Sequence, residues 1–151
     1  MLSATHTIIS LPLGILFENP LLAAASALLA HFAADRLLHW NIYPQDYARF
    51  PYGLVAVDVF GGLAAAALLL GDSILSPPVL AAVLGGNLPD ILHALWIISG
   101  GERRPERWPA AFQSLFAFHH RIQRETRQVA KGLLWQVALA APAAAAALWL
   151  Q

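Results

Sequence analysis

Residues 21–40 read LLAAASALLAHFAADRLLHW, an apolar run that closes on a stripe of ionisable side chains. A helix rising 1.5 Å per residue needs about 20 apolar residues to cross a bilayer's hydrocarbon core, which is the length of this run. Within it His31, Asp35 and His39 recur at every fourth position. On a helix such positions drift only about 40° per step, so the two imidazoles and the carboxylate share one side. Leu28, Leu29, Phe32, Leu37 and Leu38 surround them. Ionisable groups inside apolar segments are costly and tend to mark functional sites. The alternative for these residues alone is a helix end whose His and Asp reach the headgroup level.

Composition generalises the reading. The 151 residues are 58% hydrophobic and 12% charged, with a mean hydropathy of +0.58. Soluble domains are about 45–50% apolar and about 25% charged, so the chain is expected to be a membrane protein. Nine basic and nine acidic residues cancel, which gives no electrostatic support to nucleic-acid binding. With no cysteine, disulfides and thiolate metal sites are excluded, and any metal must be held by His, Asp, Glu or Asn.

The expected architecture is one all-α integral-membrane domain over 1–151. It has about five membrane helices, near 4–17, 21–40, 54–70, 77–99 and 132–150, and a cytoplasmic amphipathic helix over 110–131. The first run is short, and Ala23-Ala24-Ala25 resembles a signal cleavage site. No Lys or Arg precedes that run, however, so it reads as a helix. Seven of the nine basic residues fall between Gly101 and Lys131, and the other two, Arg36 and Arg49, flank the loop after the second run. By the positive-inside rule the amino terminus, the 40–53 loop and the 100–131 segment are expected on the cytoplasmic side.

On that map His6, His31, Asp35, His39, Asp58, Asp90, His93, His119 and His120 converge at one membrane face. All nine are candidate metal ligands, with Asp35, Asp90 and His119 as the expected catalytic residues. His119 and His120 point about 100° apart on a helix, so only one is expected to face the site, and the apolar stripe favours His119. Arg121, Arg124 and Arg127 sit beside them, suited to anionic headgroups or to steadying a phosphate. The hairpins His6…Asp35 and Asp58…Asp90 also suggest an internal repeat about an axis along the membrane normal.

Imidazole with carboxylate suits zinc, manganese or iron. One or two divalent ions per chain are expected, zinc foremost. Paired ions serve hydrolases by clamping attacking and leaving oxygens. The expected activity is metal-dependent hydrolysis of an ester or phosphoester on an amphiphile that enters from membrane lipid. Alternatives are a non-catalytic metal or haem binder, a divalent-cation carrier, or a structural membrane partner.

Thr5-His6, Leu88-Pro89-Asp90-Ile91-Leu92-His93 and His119-His120-Arg121, with His31-x3-Asp35-x3-His39 as a related element, carry a resemblance. The chain resembles the YdjM-like family of small bacterial inner-membrane proteins regarded as metal-dependent hydrolases. The resemblance implies a multi-pass protein of the bacterial inner membrane with a His/Asp metal site.

Overall fold

A computed structural model describes every residue from Met1 to Gln151. The chain is all-helical: α1 (Ser3–Leu16), α2 (Pro20–Asp35), α3 (Tyr52–Leu70), α4 (Pro77–Ile98), α5 (Ala110–Ile122) and α6 (Val129–Trp149). Local chemistry explains several starts. Asn19 accepts the N–H groups of Leu21 and Leu22, and Pro20 occupies the first turn of α2. Pro77 likewise opens α4. Both are preferred helix-start residues, because early N–H groups have no intrahelical partner.

Three segments, Tyr52–Leu75, Pro77–Ile98 and Val129–Trp149, are long and apolar enough to cross a membrane, while α1 and α2 are apolar but shorter. Large side chains cover the outside: Leu68 is 89% exposed, Val57 73% and Leu134 69%. A contiguous apolar exterior of this kind is a liability in water and the expected surface in lipid. The interior combines branched aliphatic side chains with alanines. One core joins Ile8, Leu11, Ala66, Leu70, Val79, Val83 and Ala147; another joins Ala23, Ala27 and Ala82.

α1 lies at the centre, packed on α2, α3, α4 and α6, and the most extensive interface joins α2 to α4. Lipid tails are as apolar as leucine, so helices in a bilayer associate through close packing of small residues. A Cβ on Gly14 would stand 2.6 Å from Val79 Cα, and one on Gly85 would stand 2.8 Å from Ala24 Cα. These two approaches hold α1 and α2 tightly against α4.

Three expectations need correction. The second helix ends at Asp35 and does not run to Trp40. The 110–131 segment is not one helix: α5 stops at Ile122 and α6 begins at Val129. One cause accounts for both. The two segments that follow α2 and α5 pair with each other. Arg124 N–H donates to Asp35 O (2.9 Å), His39 N–H to Arg124 O (3.1 Å) and Thr126 N–H to His39 O (2.8 Å). Backbone groups that helix extension would have used are satisfied between segments. The internal repeat also fails as packing. α1 packs closely on α4, yet α3, its proposed counterpart, makes no comparable interface with α2.

Candidate metal centre

α1, α2, α4 and α5 each deliver side chains to one buried point. Gly85 lets α2 come close enough for His31 Nδ1 to donate to Gly86 O at 2.7 Å, while Gly86 itself faces Ser10 of α1. The absent N–H of Pro89 leaves the neighbouring carbonyl of Gly85 without its helical donor, so polar backbone gathers at this level. A carbonyl only accepts, so Nδ1 of His31 carries the proton and neutral His31 presents a lone pair at Nε2. That Nε2 stands 3.1 Å from His119 Nε2, 3.3 Å from Asp35 Oδ2 and 3.9 Å from Asp90 Oδ1. His119 Nε2 lies 2.8 Å from Asp35 Oδ2 and 3.7 Å from Asp90 Oδ1.

One ligand atom from each of His31, Asp35, Asp90 and His119 falls within 4.8 Å of the others, an arrangement that could hold a metal ion. His31, Asp35 and His119 are almost completely inaccessible, while the Asp90 side chain keeps 25% exposure. Two imidazoles and two carboxylates fit zinc, manganese or iron by ligand type. The exposed edge of Asp90 is the accessible side of this cluster.

His6 and His39 join on the opposite side of Asp35. His6 Nε2 is 3.3 Å from Asp35 Oδ1 and 3.7 Å from Asp90 Oδ2, and His39 Nε2 is 3.9 Å from Asp35 Oδ1. His39 arrives by the extended segment after α2, not on a helical stripe. Its Nδ1 donates to Leu37 O at 2.8 Å, which leaves the lone pair on Nε2. Burial, followed by the nearby amino group of Met1, lowers the pKa of this imidazole and favours its neutral form.

Three expected ligands stand apart. Asp58 accepts Ser3 N–H at 2.8 Å and Ala4 N–H at 3.0 Å, so its carboxylate caps α1 from a neighbouring helix. His93 stacks on Phe116 with ring centroids 5.6 Å apart and meets His119 only edge-on at 5.9 Å. His120, about 100° round α5 from His119, is exposed. All three line a cavity of about 350 Å³ that also reaches Asp90. Its apolar wall includes Val55 and Val59 from α3 and Ile91 and Ala94 from α4; no Lys or Arg lines it.

Three participants were not expected. Gln123 Nε2 donates to Asp35 Oδ2 at 3.3 Å and stands 3.2 Å from His119 Nε2. It follows His119 by one helical turn, a spacing that could have revealed it. The amino group of Met1 donates to Asp35 Oδ1 at 2.9 Å. Gln136, a buried polar residue in the apolar α6, accepts from Leu2 N–H and Thr5 Oγ1 and donates to Trp40 O. It ties α6 to the start of α1 and to the segment carrying His39. No family model matches this chain, and neither a curated protein nor a solved structure matches it.

Proposed function

We propose that this chain is a metal-dependent hydrolase of the bacterial inner membrane. It acts at the cytoplasmic face on the ester or phosphoester bond of an amphiphile. The observation that carries the reading is the approach of His31 Nε2 to His119 Nε2, 3.1 Å apart, with a carboxylate on each side. Two carboxylates in an apolar bundle carry more negative charge than the single Met1 ammonium offsets, so this crowding favours a further cation among them. His31, Asp35, Asp90 and His119 would hold the ion, zinc first by ligand chemistry and manganese or iron after it.

A divalent cation supplies a Lewis acid and a means of generating a nucleophile from water near neutral pH. The chain's own residues supply the rest. Gly86 O sets the tautomer of His31, and Gln123 orients Asp35 through its second hydrogen bond. His93, lining the cavity beside Asp90, is positioned to give a proton to the leaving oxygen. The apolar wall between α3 and α4 accepts the substrate's hydrocarbon, which enters sideways from lipid. Because no Lys or Arg lines the cavity, a phosphoester's charge would be met by the metal centre and the Met1 ammonium beside it. Orientation follows the basic residues of 101–131 and the resemblance to the YdjM-like family. Both support five membrane crossings with the amino terminus inside, α1 and α2 being short or tilted spans.

Haem fits poorly, because imidazoles this close, with carboxylates among them, leave no plane for a macrocycle. A cation carrier would share the centre but turn over no substrate. Elemental analysis of detergent-purified protein, paired with hydrolysis assays on ester and phosphoester amphiphiles, tests the proposal. Bound metal with turnover abolished by a chelator is the expected result. Absence of metal, with no loss of turnover in Asp35→Asn or Asp90→Asn, would overturn it.

A further inference from the structure

Asp35 and Asp90 each divide their two oxygens between different imidazoles. Oδ2 of Asp35 and Oδ1 of Asp90 face His31 and His119. Oδ1 of Asp35 faces His6 at 3.3 Å and His39 at 3.9 Å, and Oδ2 of Asp90 faces His6 at 3.7 Å. The donors therefore sort into two sets that share both carboxylates and no oxygen. His6 and His39 are 1% and 0% exposed. The Nε2 atom of each is buried with no hydrogen-bond partner. Buried polar nitrogens are rarely left so, and each such group calls for a physical reason.

We infer that His6, His39, Oδ1 of Asp35 and Oδ2 of Asp90 form a second divalent-cation site, which makes Asp35 and Asp90 bridging ligands of a paired centre. The inference rests on the reading of His31, Asp35, Asp90 and His119 as a metal site. Two further features favour it. The Leu37 carbonyl fixes the His39 tautomer that leaves its Nε2 free to coordinate. The His6 ring stacks on that of His31 with centroids 3.9 Å apart, so the two sets are held side by side. The amino group of Met1, 2.9 Å from Asp35 Oδ1, is the rival occupant, since an ammonium alone could neutralise that oxygen. Paired ions in hydrolases stand about 3.5–4 Å apart and share bridging ligands, which is the service two split carboxylates provide.

The test is metal stoichiometry of the full chain in detergent after loading with Mn(II), read by elemental analysis and by electron paramagnetic resonance. The expected result is about two ions per chain and an exchange-coupled spectrum, as for ions held at pair distance. His39→Ala, in an extended segment outside the helices, should lower the content to about one and restore an isolated-ion spectrum. His6→Ala should do the same. Because the wild-type spectrum alone distinguishes paired from isolated ions, the test survives a variant that fails to fold. One ion per wild-type chain, unchanged in His39→Ala, would overturn the second site and leave the first standing, with the Met1 amino group as its neighbour. No ion at all would overturn both.

Discussion

Asp35 and Asp58 are both acids set in apolar helices beside the start of α1, yet they meet different company. Asp58 faces two backbone N–H groups, which only donate, and its charge is answered by the open end of a helix. Asp35 accepts from the Met1 ammonium and the Gln123 amide but also faces four imidazoles, of which His31 and His39 turn a lone pair toward it. Donors alone complete a carboxylate, whereas lone pairs among them favour a further cation. Burial alone therefore does not separate a structural acid from a ligand acid. The chemical identity of the facing atoms does.

The sharpest way to break this contrast is to remove the two carboxylates in turn. Asp35→Ala should abolish metal binding and lower turnover at least ~100-fold, beyond the effect of losing a supporting hydrogen bond, because the ligand itself is gone. Asp58→Ala should leave metal content unchanged. It should cost about 1–2 kcal/mol in a detergent unfolding titration, the range for loss of a helix cap. Metal loss in Asp58→Ala, or its retention in Asp35→Ala, would erase the distinction.

Between these effects lies the packing that assembles the centre. Gly85→Ala would drive a methyl into the backbone of Ala24, where 2.8 Å to its Cα leaves no room. Overpacking of this kind costs about 1–3 kcal/mol. Parting α2 from α4 would also stretch the His31–Gly86 bond that sets the ring's tautomer. Metal affinity should then fall roughly 10–100-fold, as when a ligand's supporting partner is lost. Gly86→Ala should be gentler, since its methyl meets mainly the Ser10 hydroxyl, a group able to rotate away from His6 O. Calorimetric titration with Zn(II) orders the two variants, and equal affinities would remove packing from the account.

What was readable in the sequence, and what was not, divides by range. The apolar runs placed α3 and α4 to within a residue or two, because a run of this composition has few alternatives to a helix. His31, Asp35 and Asp90 stood out because ionisable residues are rare in such runs, and His119 because an apolar stripe on its amphipathic segment favoured it over His120. The ends of α2 and α5 were hidden, because the pairing of His39 with Arg124 and Thr126 joins segments far apart in the chain. Asp58 was misleading for the same reason: its partners Ser3 and Ala4 lie more than fifty residues away. Gln123 was accessible from its i+4 spacing to His119 but looked like an ordinary surface residue.

The smallest effect belongs to a charge pair that closes on itself. Arg127 bonds Asp46, with side chains 62% and 44% exposed, and its guanidinium lies 4.0 Å over the Tyr43 ring. Tyr43 in turn donates through its hydroxyl to Thr126 O at 3.1 Å. The cation is thus engaged away from the cavity, which neither Arg121, Arg124 nor Arg127 lines. Of the two expectations for these arginines, anionic headgroups or a phosphate at the centre, their absence from the cavity lining favours the first. Exposed pairs contribute about 0.2–1 kcal/mol. Arg127→Ala should therefore shift stability by less than about 1 kcal/mol and leave metal content and the KM for any phosphoester amphiphile unchanged. A several-fold rise in KM confined to anionic substrates would show instead that Arg127 swings from Asp46 to the cavity during binding. The arginine would then belong with Asp35, completed by something outside the chain, and not with Asp58, completed within it.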